Sequence, residues 1–158
     1  MNKSLKFLDV GSNEIDFYGI EVLCDALCVN TTLSTFILHH NHIGDFGAGE
    51  IASCLMNNTS IRKLDLSYSN VDDTGSAKLA QSLEYNEHLE FLGMHGNTFG
   101  VGAAEVLRMA KRGGVEISGV PDQRPRSPRS NRRIAKFMKT RKMGHTRSTT
   151  STPSPRDS

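Results

Sequence analysis

The chain has 158 residues, of which 37% are hydrophobic and 6% aromatic; it contains no tryptophan, and its formal charge is +2. No apolar run approaches the ~20 residues that a membrane-spanning helix needs, and the start of the chain lacks the apolar core of a secretory signal. Three cysteines, Cys24, Cys28 and Cys54, are too few and odd in number for a disulfide framework, so a soluble, cytoplasmic protein in a reducing compartment is expected.

The small net charge hides a division. Residues 1–118 hold 8 Lys and Arg against 15 Asp and Glu, a balance of −7, while residues 119–158 hold 11 against 2, a balance of +9. Two regions with different physical roles are expected, a body over 1–118 and a tail over 119–158.

The body repeats with a period of 28 residues. Met1 arrives in mid-unit, because Asn2 shares a column with Asn30, Asn58 and Asn86, and Leu5 begins the next column. No amphipathic cap precedes the first strand, so an open edge is expected there: either the chain is a fragment of a longer array, or something else covers that edge. Going along the chain, apolar columns recur as Leu5/Leu33/Ile61/Leu89/Ile117, Leu8/Phe36/Leu64/Leu92 and Val10/Leu38/Leu66/Met94. Each unit then continues through Ile15/Ile43/Val71/Phe99, Leu23/Ile51/Leu79/Leu107 and Leu27/Leu55/Leu83. The third unit shows both rhythms most clearly. Leu64 and Leu66 alternate as a short strand does, and from about Asp73 to Leu83 the residues Ala77, Leu79, Ala80 and Leu83 follow helical spacing. Gly19, Gly47 and Gly75 stand near each helix start, where a missing side chain allows close packing. Asn30, Asn58 and Asn86 stand at each helix end, where a left-handed cap is expected. In the fourth unit Lys111 breaks the leucine column, Gly113 and Gly114 end the helix, and Val115 to Ile117 suit a final partial strand.

A strand and a helix per unit cannot bury an apolar face alone, but stacked units share one core. The run Ile61-Arg62-Lys63-Leu64-Asp65-Leu66-Ser67, with the helical tail that follows it, resembles a leucine-rich repeat. The 28-residue length is similar to that of the ribonuclease-inhibitor subclass, arrays of which occur in Nod-like receptors, the GTPase activator of Ran and tropomodulin. The resemblance implies an α/β solenoid of about four units, with parallel strands on the concave face and helices on the convex face. It also implies a ladder of buried asparagines at Asn13, Asn41 and Asn97. The third unit departs from it, with Ser69 at the ladder position and Asn70 beside it, so either the ladder weakens there or Asn70 takes over through a shifted turn.

Residues between the inward leucines should face the concave surface. Among them Phe7, Ile37, His39, His40, Lys63, Asp65, Tyr68, Phe91 and His95 form the expected partner-binding set, aromatic where solvent-facing positions are ordinarily polar. No metal or cofactor is expected. His39, His40 and His42 point to different sides of a strand and its turn, and His39 and His95 lie two strands apart, roughly 10 Å. Ser67 with His39, His95 and Asp65 is nominally a triad, but an open sheet offers no oxyanion hole. The resulting expectation is a non-enzymatic scaffold that binds a protein through its concave face. The alternatives are a GTPase-regulating array like the Ran activator, and an adaptor acting through its tail.

In that tail, prolines, Ser, Thr and dense Arg and Lys predict disorder. A basic amphipathic stretch with Arg132, Arg133, Lys136, Phe137, Lys139, Arg141 and Lys142 suits weak contact with nucleic acid or an acidic filament, and a nuclear or cytoskeletal location is compatible with it. Ser127, Thr152 and Ser154 precede prolines and are candidate phosphorylation sites that would cancel local positive charge.

Overall fold

The computed structural model describes residues 2–111 and 114–120, without the side chain of Lys111. The basic stretch from Arg132 to Lys142 and the candidate sites Ser127, Thr152 and Ser154 lie outside the described residues.

Strands and helices alternate along the chain as β1 (Phe7–Asp9), α1 (Phe17–Cys28), β2 (Thr35–Ile37), α2 (Gly44–Leu55), β3 (Lys63–Asp65), α3 (Asp73–Ser82), β4 (Phe91–Gly93), α4 (Val101–Lys111) and β5 (Glu116–Ser118). The strands form one parallel sheet in sequence order. Its register is the repeat itself: Phe7 lies beside Thr35, Thr35 beside Lys63, and Lys63 beside Phe91. Helix α2 packs between α1 and α3, and α3 against α4, behind the sheet. The shared core holds Ile20, Phe36, Leu38, Ile43, Leu64, Leu66, Leu79, Leu92, Met94 and Leu107, each at most 1% exposed. Burying one such side chain stabilises by about 2 kcal/mol.

The last unit is shorter than its sequence column suggested. Glu116 lies beside Phe91 and Ile117 beside Leu92, so Ile117 joins the Leu8/Phe36/Leu64/Leu92 column and not the Leu5 column. Each earlier helix is followed by a turn built on Asn30, Asn58 or Asn86. After α4 no such asparagine occurs and the strand begins sooner.

Those three asparagines do not cap their helices in the left-handed conformation; none has a positive φ. They instead form a ladder of amides. The Asn58 amide nitrogen donates to the Leu27 and Asn30 carbonyls of the preceding unit (2.9 and 3.2 Å), and its oxygen accepts from Ser60 and Ile61 N–H (both 2.9 Å). Asn86 repeats this on Leu55, Asn58, His88 and Leu89. Asn2 begins the series, accepting from Ser4 and Leu5 N–H. The Asn58 and Asn86 amides therefore each satisfy two carbonyls of one unit and two N–H groups of the next, as buried backbone requires, while the Asn30 amide nitrogen reaches only the Asn2 carbonyl, at 3.5 Å.

The second, expected ladder is present at Asn41 and Asn97 but not at Asn13, which is exposed and donates only within its own turn. Asn41 donates to Leu38 and Val10 carbonyls and accepts from Ile15 N–H; Asn97 donates to Leu66 and Met94 and accepts from Ser69 and Val71. In the third unit Ser69 itself fills the position, with long contacts of 3.4 and 3.3 Å to Leu38 and Ser67 carbonyls. Asn70 does not replace it, being exposed with φ +58° and its amide turned to His42.

A third link uses carboxylates. Asp45 at the start of α2 accepts from the N–H groups of Asp72 and Gly75 (2.8 and 3.0 Å), and Asp73 accepts from that of Gly100. Gly75 is needed here, because a β-carbon would lie 2.6 Å from the Asp45 oxygen and 3.0 Å from Ala48. Burial, and then the neighbouring Asp72 carboxyl, raise the Asp45 pKa above the usual carboxylate range, while the hydrogen bond to Asp45 lowers that of Asp72.

Two predictions follow from these links. Asn58→Ala strips partners from four backbone groups and should cost about 3 kcal/mol or more in urea unfolding, whereas Asn13→Ala should cost under about 1 kcal/mol, since the exposed Asn13 bonds only to its own turn. The second concerns pH. A raised folded-state pKa means that Asp45 favours folding while protonated and loses that contribution as pH rises through its folded value. Asp45→Asn keeps the accepting oxygen and adds a donor toward Asp72, so it should raise Tm at pH 7. That gain should shrink as the pH is lowered into the range where Asp45 itself is protonated.

Candidate functional site

The parallel ladder runs past the strands and into the turns. His40 N–H donates to Ser67 O (2.9 Å) and Tyr68 N–H to His95 O (2.6 Å), which fixes the last residues before each turn in register. Ser12, His40 and Tyr68 occupy this column with φ of 54–55°, and Gly96 follows with φ +66°. Positive φ is uncommon for any residue but glycine and costly for one as bulky as Tyr, and such strain is concentrated at functional sites. The preceding column is pinned by aspartates: Asp9 accepts from Gly11 N–H and Asp65 from Ser67 N–H, both at 2.9 Å.

Small residues let the larger side chains lie flat across neighbouring units. The Tyr68 ring covers the position where a Gly96 side chain would sit, and the His39 ring does the same at Gly11. His40 stacks on Tyr68 with centroids 4.4 Å apart and planes 18° from parallel, while His39 meets His40 edge-on with the two Nδ1 atoms 3.2 Å apart. Beside these rings is an open cavity of about 330 Å³, lined by His39, His40, Asp65, Ser67, Tyr68 and His95.

Of the expected set, the cavity brings together His39, His40, Asp65, Tyr68 and His95, and adds Ser67, which is 7% exposed. Phe7, Lys63 and Phe91 share one row at the strand starts with Thr35, so Lys63 and Thr35 separate the two phenylalanine rings. Ile37 is half-buried beside Asp65 and does not line the cavity. Within the expected set, the histidines and Tyr68 thus form a compact aromatic cluster at the turn end, with Phe7 and Phe91 apart from it. The positive-φ column was missed from the sequence, although Gly96 in line with Ser12, His40 and Tyr68 was its signal. Among the described residues no group of His, Cys, Asp and Glu has the geometry to hold a metal.

Elsewhere, Cys24 and Cys54 are buried between α1 and α2, and Cys28 is exposed at the end of α1. Partial desolvation at the end of α1, and next the hydrogen bond with Cys54, push the Cys28 thiol up to about 11; hydrogen bonding with Cys24, and then burial, push the Cys54 thiol up as well. Both remain neutral thiols near pH 7, poor nucleophiles suited to packing.

Among protein families, the Leucine Rich repeat pattern matches residues 2–24, 29–52 and 57–80. The chain is a leucine-rich-repeat protein. Its unit of one strand and one helix over 28 residues is of the ribonuclease-inhibitor-like type. Leucine-rich-repeat structures similar to it include one titled Leiomodin-1 Actin-Binding Site 2, at 17% identity over 90% of this chain and 91% of that one, with a TM-score of 0.71. The tropomodulin C-terminal domain of Caenorhabditis elegans is similar at 18% identity over 90% and 92%, with a TM-score of 0.68. No curated protein matches the chain. Among the described residues no helix is long and apolar enough to cross a membrane.

The backbone strain is itself testable. Tyr68→Gly relieves positive φ while giving up one stack, so unfolding free energy should change by less than about 1 kcal/mol. Tyr68→Val, β-branched at the same φ, should destabilise by at least about 1 kcal/mol.

Proposed function

We propose that this protein is a non-catalytic recognition module that binds a protein partner through the turn end of its concave face. The observation that carries this reading is the His40–Tyr68 stack, two rings held at positive φ beside an open cavity. Tyr68 is 52% exposed, and aromatic side chains that are rigid before binding lose little entropy when a partner covers them. His39, Asp65, Ser67 and His95 supply donors and acceptors around the rings, the polar margin that sets orientation. The cavity is open to water, which disfavours covalent catalysis at Ser67 and supports the non-catalytic reading.

The partner is a protein, and actin is the first to test, because the leiomodin structure is titled as an actin-binding site and covers nearly the whole chain. The likeness supports the fold directly and actin only as a candidate.

His39→Ala combined with Tyr68→Ala should leave circular dichroism unchanged and weaken capture of the main partner from cell extract by about tenfold or more. Co-sedimentation with actin filaments and binding to actin monomers then identify or eliminate actin. Unchanged capture by the folded double variant rejects the concave site. GTP turnover by small GTPases accelerated by the protein would replace this reading with a regulatory one.

A further inference from the structure

The outer face of the first two units takes no part in the concave site. Helix α1 carries Glu21 and Asp25, α2 carries Asp45 and Glu50, and neither contains a lysine or arginine. Asp16 caps α1, adding a fifth carboxylate. Tyr18, Val22 and Phe46 project from this face, 68%, 70% and 76% exposed. The half-buried Phe17 ring lies 4.4 Å from that of Tyr18 and 6.0 Å from that of Phe46, so three rings form one cluster bridging the two units.

The repeat does not require these rings. The column Tyr18/Phe46/Thr74/Gly102 is exposed throughout and loses its side chain altogether by the fourth unit. Large apolar groups gathered in one place on a surface, without a packing role, mark an interface. Charge identifies what covers them. Glu21, Asp25 and Glu50 stand exposed on the same helices as these rings, with no lysine or arginine beside them on α1 or α2. The carboxylates repel nucleic acid and anionic lipid, while a Lys or Arg beside an aromatic ring gains from the ring's negative face as well.

We propose that the α1–α2 outer face is a second docking surface, and that its occupant is a cationic amphipathic helix of a partner protein. Apolar residues of that helix cover Tyr18, Val22 and Phe46, while its Lys and Arg face Glu21, Asp25 and Glu50. This surface is independent of the concave one, so the protein holds two partners, or two parts of one partner, on opposite sides.

The test is fluorescence anisotropy of the full chain with a labelled Leu/Lys helical peptide, its Leu/Glu counterpart serving as control. The Leu/Lys peptide should bind, more weakly as salt rises, and the Leu/Glu peptide should not. Tyr18→Ala with Phe46→Ala should weaken binding about tenfold, and Glu21→Lys, Asp25→Lys and Glu50→Lys together should abolish it. His39→Ala with Tyr68→Ala should bind as the unaltered protein does, which separates this surface from the concave one. No binding of the Leu/Lys peptide, equal binding of the Leu/Glu peptide, or indifference to either outer-face variant overturns the proposal. So does loss of binding only in the concave variant. Self-association in sedimentation that disappears in the Tyr18/Phe46 variant also overturns it, by making a second copy the occupant.

Discussion

A solenoid leaves backbone polar groups at every turn between its units, and these turns are buried by the next unit before water can serve them. The Asn58 and Asn86 amides meet this constraint with two donors and two acceptors each, joining the end of one helix to the turn of the next. Hydrophobic contact between units is abundant but non-directional, and would tolerate small slips of one unit over another. The amides do not, because a slip breaks several hydrogen bonds together. Register in the sheet, and hence every placement on the concave face, depends on that ladder.

With register held, the surface chemistry follows from where side chains have room to lie. Columns on the concave face mix large residues with glycine, so Tyr68 spreads over Gly96 and the His39 ring over Gly11. The rings become a flat layer over the end of the sheet, and the cavity beside them is bounded by groups from three successive units. The same stacking gives the convex side a different composition. Its exposed positions are free to vary, and in the first two units they have become acidic and aromatic.

Much of this was legible in the sequence, because a 28-residue period in apolar positions has few physical readings. The alternation of strand and helix and the membership of the concave columns come from that periodicity, and the Asn41 and Asn97 ladder from the resemblance to leucine-rich repeats. What failed did so where one residue type serves two purposes. Asparagine suits a left-handed cap and also suits a four-bonded amide, and only the neighbouring carbonyls of Leu27 and Leu55 decide between them. Ile117 was misplaced because a period can be extended on paper past the point where its turn residue disappears. The His40–Tyr68 stack was beyond reach, since the direction in which a ring leans depends on vacancies in adjacent units. Spacing within the concave set was likewise not read from the sequence; Phe7 and Phe91 stand three strands apart, roughly 14 Å.

The side chains on the two faces are displayed by, and not required by, the repeat framework. The central claim is that the turn end of the concave face is what a partner touches. The most direct measurement places a photo-crosslinking phenylalanine analogue at Tyr68 and, separately, at exposed Gln81 on the convex helix α3, with irradiation in cell extract. A discrete adduct from position 68 and none from position 81 is the result this account predicts. A partner adduct from position 81 with none from position 68 would contradict it.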